Sequence, residues 1–157
     1  KGGKLIIFGN GGSAADSMHF AAEFEGQLSS FDKNRKPLSA LTPFNLSALT
    51  AISNDYDYGT SFARFVQANA KKGDVIIGIT TSGNSNNVLS ALREAKNIGA
   101  ITIGFTGGDG GRLRDLTDIN FIVPVRNVSI IQEGHIIAYH RICALVIKDL
   151  FGYDGLW

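Results

Sequence analysis

FGNGGSAADSMHFAAEFEG, residues 8–26, is the stretch that decides how this 157-residue chain is read. The apolar run KLIIF leads into it, a glycine-serine turn follows, and the turn passes directly into a helical pattern carrying one histidine and several acids. Strand, glycine-rich turn and helix together present backbone N–H groups and a helix N-terminus to an anion. Two kinds of anion fit such a turn, a dinucleotide and a compact phosphate.

Outward from this stretch, short aliphatic or β-branched runs alternate with longer helical patterns. Strands are expected at 4–8, 38–41, 74–79, 101–105 and 119–123, and helices at 13–28, 60–70, 86–98 and 129–150. That alternation is the signature of βα units around a parallel sheet, so the expected class is α/β. Three strands end in similar turns, GNGGS at 9–13, TTSGNS at 80–85 and TGGDG at 106–110. Loops at the carboxyl ends of strands are where open α/β sheets bind ligands. The last helix is the most apolar and is expected to be buried, in the core or against another subunit. The polar segment 29–37 reads as a connecting loop.

A chain of this length that is 44% hydrophobic buries one core, and a single domain over 1–157 is expected. Fifteen Lys+Arg against fourteen Asp+Glu leave a charge of +1, and no basic run exceeds Lys71-Lys72, so no nucleic-acid partner is expected. No run of about eighteen apolar residues is present, so no membrane association is expected. The lone Cys143, in an apolar run, reads as core filling in a reducing compartment, and a cytoplasmic location follows. The chain starts at Lys1 rather than Met, with the first strand three residues on, so an N-terminal piece is expected to precede it.

Gly9-x-Gly11-x-x-Ala14 fits a loose form of the dinucleotide fingerprint, but the acid that should end the second strand is missing: Leu41 is followed by Thr42 and Pro43, and Asp32 falls in the loop before. No nucleotide cofactor is expected. Thr80, Thr81, Ser82 and Ser85 instead gather four hydroxyls at the start of a helix, which suits one compact phosphate. No Walker lysine follows. Hydroxyls and glycines also cap helices without any ligand, but two such loops after neighbouring strands favour a binding role.

His19 and Glu23, four apart on one helix, share a face and can bind a metal or act on one substrate; the same spacing also serves as a solvated helix pair. Gln132, Glu133, His135 and His140 place polar groups on the most apolar helix, and buried polar groups need partners. Helical geometry leaves open which of the two histidines works. The alternative for His135 is a plain hydrogen bond to a neighbouring element.

The segments GNGGSAADSMHFAAE, AISNDYDY, ITTSGNSNNV, TGGDGG and IIQEGHIIAYH, in this order, resemble the sugar isomerase (SIS) domain family and, within it, the phosphoheptose (sedoheptulose 7-phosphate) isomerases. The resemblance runs from Lys4 to the last helix. It implies a three-layer α/β/α sandwich with a five-stranded parallel sheet, flavodoxin-like or Rossmann-like, and helices ahead of the first strand. It also implies a cytoplasmic homotetramer with active sites between subunits, which isomerises a sugar phosphate on the way to activated heptose for lipopolysaccharide or capsule. Carried over residue by residue, it implies substrate contacts from Asn10, Gly11, Gly12, Ser13, Glu23, Asn54, Asp55 and Gln132, and a phosphate held by Thr80, Thr81, Ser82 and Ser85. Zinc would be held by His19, Glu23, Gln132 and His140, with Glu23 and His140 as the catalytic pair.

Some positions depart from the family pattern. Gln27 and Ile130 stand where many members have arginine, Thr80 stands where serine is common, and 42–46 differs from the usual threonine-aspartate sequence. These changes bear on which sugar is taken more than on the type of reaction. Related SIS proteins serve as non-catalytic scaffolds for the replication initiator, as sugar-phosphate sensors, or as isomerases of other sugar phosphates. The scaffolds lack parts of the acid-histidine set that is complete here.

Overall fold

The computed structural model describes residues 2–153, apart from the side chain of Phe31. In chain order the elements are β1 (Leu5–Gly9), α1 (Gly12–Glu25), β2 (Ala40–Leu41), α2 (Leu46–Asp55), α3 (Ser61–Asn69), β3 (Val75–Thr80), α4 (Asn86–Ile98), β4 (Ile101–Gly107), β5 (Ile119–Val123) and α5 (Val128–Phe151). All strands are parallel, in the order β2-β1-β3-β4-β5.

Ile6, Ile7, Ile76 and Ile77 are all at most 1% exposed, so the central strands are covered on both faces. Parallel strands require this, because their crossovers lay helices on the sheet. On one face Ile6, Phe8 and Ile76 pack with Phe62 and Val66 of α3 and with Val88, Leu89 and Leu92 of α4. On the other, Ile7, Ile77, Ile79 and Phe105 pack with Phe20 and Phe24 of α1 and with Tyr139 and Cys143 of α5. Gly78 sets the closeness of α4: a Cβ there would stand 2.7 Å from Leu92 Cδ1 and 2.8 Å from Val88 Cγ1. Burial pushes the Cys143 thiol up, consistent with an inert core residue. No helix among the described residues is long and apolar enough to cross a membrane.

β5 and α4 fall where the sequence places them, β1, β3, α3 and α5 are off by one residue at their ends, β4 runs two residues further, and β2, α1 and α2 differ for reasons visible in their hydrogen bonds. β2 is cut to two residues because the Leu38 N–H is taken by Phe24 O, 3.0 Å away at the end of α1. α1 stops at Glu25, three residues early: Gly26 follows, and Leu28 N turns to Asp32 Oδ2 at 3.0 Å. The unexpected helix is α2, capped by the Asn45 side chain, which accepts from Ala48 N at 3.2 Å. Its threonine, two serines and isoleucine are mediocre helix formers; Leu49 packs against the core, but no residue of the helix is fully buried.

The polar segment 29–37 is a connection, as expected, but it contains a buried ion pair. Asp32 Oδ2 accepts from Arg35 Nε at 2.8 Å, with side chains 0% and 1% exposed. Arg35 also donates to Glu23 O and Phe24 O, satisfying carbonyls that the end of α1 leaves open. Removing one partner strands the other charge in the interior. Asp32→Ala should therefore lower unfolding free energy by about 3–5 kcal/mol in denaturant titration.

Burial pushes the Asp32 carboxyl up, but hydrogen bonds from Ser29 N, Arg35 and Leu28 N outweigh it and hold the group below its ordinary range. Asp74 behaves likewise through Lys4 and Lys71 N, and Asp118 is held down by the N–H and hydroxyl of Thr102. Such carboxylates stabilise the fold above their unfolded pKa of about 4, and the contribution is lost as pH falls through the lower folded values. Burial pushes His135 down, only partly offset by its bond to Thr106 O. Below about pH 6.5 the unfolded chain takes up a proton that folded His135 refuses, so stability starts falling there. Thermal unfolding against pH should show both stages, and His135→Leu should flatten the upper one.

Candidate active site

The sheet order reverses between β1 and β3, so the loops after these two strands part and leave a crevice at their carboxyl ends. Asn10, just past β1, and Asn87, in the first turn of α4, clasp across it: each side-chain amide donates to the other's Oδ1 at 2.9 Å. The Tyr58 hydroxyl donates to Asn10 Oδ1 at 2.7 Å. Gly11, at φ 57°, turns the chain into α1, whose start no side chain caps. Gly12 and buried Ser13 form the first turn of that helix.

The loop after β3 is built to hold its hydroxyls. Thr80 Oγ1 is 2.9 Å from Ser85 Oγ and 3.4 Å from Ser82 Oγ. Ser85 thus turns its hydroxyl to Thr80 instead of capping α4. A second loop braces the first. Gly83, at φ 66°, lies against Gly110 O so closely that a Cβ would collide, and Leu113 N donates to Gly83 O at 3.0 Å. Arg112 adds bonds to Asn84 O at 2.8 Å and Asn86 Oδ1 at 3.0 Å. Thr81 and Ser82 also line a cavity of about 460 Å³ shared with Gly108, Asp109, Arg126 and Ile131, roomy enough for a sugar phosphate.

The acid-histidine cluster forms between α1 and α5. His19 Nε2 is 3.0 Å from Glu23 Oε1, the His19 and His140 rings are 5.1 Å apart, and ligand atoms of His19, Glu23 and His140 lie within 4.8 Å of one another. Glu23 Oε2 is buried without a partner. An orphaned carboxylate oxygen beside two imidazoles is a donor set suited to a divalent transition metal such as zinc. Tyr139, which the sequence did not single out, contacts both histidines; its hydroxyl is 2.7 Å from His19 Nδ1. Burial, then the charges of Asp16 and Glu23, push this phenol up to about 12. Asp16, one turn before His19, is buried with Oδ2 unpartnered, and burial pushes its carboxyl up against the opposing pull of His19. Its i, i+3 spacing from His19 was the available signal.

Other expected residues lie apart from the cluster. The Gln132 amide rests on Gly12, whose Cβ would strike it, and about 12 Å of helix rise separates Gln132 from His140. Asn54 and Asp55, at the exposed end of α2, bond to each other at 2.9 Å. His135 is buried and reaches Thr106 O at 3.1 Å, the plain structural bond considered for it. Asn87, Tyr58 and Arg112 were not anticipated, because partners 77, 48 and 26 to 28 residues away leave no local pattern.

Comparison with known proteins fits this geometry. The SIS domain pattern matches residues 1–107. A probable phosphoheptose isomerase of Thermoplasma acidophilum is 53% identical over 146 residues, covering 92% of this chain and 79% of its own. The phosphoheptose isomerase of Aliarcobacter butzleri is 50% identical over 149 residues, covering 95% and 78%. Among solved structures, phosphoheptose isomerase from Neisseria gonorrhoeae superposes with a TM-score of 0.86 at 40% identity, over 93% of this chain and 77% of that one. With the five-stranded parallel sheet and the His19–Glu23–His140 cluster in place, these likenesses assign the chain to the SIS domain family, among the phosphoheptose isomerases.

Proposed function

We infer that this chain is an aldose-ketose isomerase that interconverts sedoheptulose 7-phosphate and D-glycero-D-manno-heptose 7-phosphate. The observation that carries the reading is the His19–Glu23–His140 cluster between α1 and α5, with its unpartnered Glu23 Oε2, in a chain that also carries a hydroxyl-rich loop after β3. Isomerisation needs a base over one carbon, an acid at the neighbouring oxygen and a clamp on the distal phosphate.

In the proposed sequence Thr80, Thr81, Ser82 and Ser85, with the start of α4, hold the phosphate, while Asn10, Gly11, Gly12, Ser13, Asn54, Asp55 and Gln132 orient the sugar. Glu23 takes a proton from C1 of the ketose, and the electron pair of that C–H bond becomes the C1=C2 bond of a cis-enediol. His140 delivers a proton to O2. His140, left neutral, then takes the O1 proton to form the aldehyde as Glu23, whose proton exchanges with solvent, protonates C2. Zinc, where bound, would be held by His19, Glu23 and His140 and would polarise the carbonyl and hydroxyl oxygens, while Gln132, apart from that cluster, serves the sugar. Glu23 held in this way is a weaker base.

A homotetramer with sites between subunits is part of this proposal. It is supported by α2, where Leu46 stands 73% exposed and no residue is fully buried, and by Ile137 and Leu145 of α5, which stand 64% and 60% exposed. Cytoplasmic heptose synthesis for lipopolysaccharide or capsule fits the lone buried cysteine.

Incubation with sedoheptulose 7-phosphate in D₂O, followed by proton NMR after chelation and again after zinc addition, should show heptose 7-phosphate forming with deuterium at C2. Turnover that vanishes on chelation and returns with zinc would place the metal in the reaction; no turnover in either state overturns the isomerase reading in favour of a scaffold. Glu23→Gln should cut kcat by about 10²–10⁴ with an unchanged melting temperature, and a variant that keeps most activity rules out Glu23 as the base. Ser82→Ala and Ser85→Ala should each raise KM about tenfold or more, the loss of one hydrogen bond to a charged group.

A further inference from the structure

We propose that Tyr139 is the positioning residue of the site: its hydroxyl fixes the orientation of the His19 ring so that Nε2, rather than Nδ1, is presented to Glu23 and His140. The proposal rests on the reading of His19 as a member of the site. It does not require that the metal be bound.

His19 is half exposed, its side chain at 49%, so packing alone leaves its imidazole free to turn over about the Cβ–Cγ bond. A ring flip would exchange the places of carbon and nitrogen and withdraw Nε2 from Glu23 Oε1. The bond of 2.7 Å between Nδ1 and the Tyr139 hydroxyl opposes that flip. Tyr139 can hold the position because it is itself immobile. It is 0% exposed, stacks on Phe20 with ring centroids 5.0 Å apart and planes 19° apart, and meets His140 edge-on at 4.8 Å. Phe20 in turn packs on Phe24 and Phe105, so the hydroxyl is anchored in the core between the sheet and α5.

A hydroxyl suits this place because it both donates and accepts. With Nε2–H donating to the Glu23 carboxylate, Nδ1 is an acceptor and the Tyr139 O–H donates to it. With the Nε2 lone pair given to a cation, the ring proton sits on Nδ1 and the Tyr139 oxygen accepts it. The phenol proton then turns away from the ring. Ligating histidines generally need such a partner on the second nitrogen, and its loss costs about 10–100-fold in metal affinity.

Tyr139→Phe keeps the buried ring and deletes only the hydroxyl, while water can reach the half-exposed His19. Zinc affinity, measured by competition with a chromogenic chelator, should fall about 10–100-fold in this variant with little change in melting temperature. Long-range ¹H–¹⁵N correlation spectra of the full chain supply a readout that needs neither turnover nor the variant. In the metal-free chain the His19 Nδ1 resonance should carry the shift of a hydrogen-bonded acceptor, and that shift should be lost in Tyr139→Phe. With zinc, His19 should be bound through Nε2 with the proton on Nδ1. A Tyr139→Phe chain that binds zinc within twofold of the parent, zinc bound through Nδ1, or an Nδ1 resonance typical of free imidazole would each overturn the proposal. A parent chain that ignores zinc but shows the bonded Nδ1 resonance refutes the metal and leaves the positioning role standing.

Discussion

The molecule is organised by the burial of β1 and β3 on both faces. Ile6 and Ile76 point to one side, Ile7 and Ile77 to the other, and all four are closed to solvent. Each such side chain is worth about 1.5–3 kcal/mol when fully removed from water. Satisfying both faces requires helices on both, and helices on both faces require crossovers in opposite directions from β1. The crevice at the reversal follows from that requirement, and with it the meeting of the two glycine-rich loops. The binding region is a consequence of how a doubly covered parallel sheet must be connected.

The carboxylates divide by how well they are satisfied. Asp32, Asp74 and Asp118 collect several donors each and are held in the charged form; they tie down a loop, the start of β1 and the approach to β5. Asp16 and Glu23 each keep one buried oxygen with no partner. An unpaired acceptor is costly in the interior. Both lie on α1, facing the helix that carries His140. A rigid helix pair is a better mount for such groups than a loop, since two helices packed through Phe20, Tyr139 and Cys143 leave little room to drift.

The histidines show how far sequence reaches. Periodicity could not choose between His135 and His140, because both lie on one apolar helix and differ in facing by an amount that registers in no local pattern. The structure separates them: His135 points at the sheet and is spent on Thr106 O, while His140 points at His19. The loop after β3 was legible from its four hydroxyls, but the brace from Gly110, Arg112 and Leu113 was not, since it joins loops from different strands. Segment 29–37 read as a polar connecting loop; its buried ion pair escaped notice because a carboxylate and a guanidinium three residues apart are usually a surface pair.

By itself the sequence determined the class of fold, the strands, most of the helices and the two turns rich in glycine and hydroxyls, because these depend on short-range periodicity and on backbone conformations that only glycine adopts easily. His19 with Glu23 belongs here too, since one helical turn relates them. What only the tertiary structure decided is which residues from distant segments meet: Asn10 with Asn87, Gly12 with Gln132, and His19 with both Tyr139 and His140. The physical reason is that helical spacing fixes which residues share a face, while the neighbour that face meets is settled by packing across the sheet.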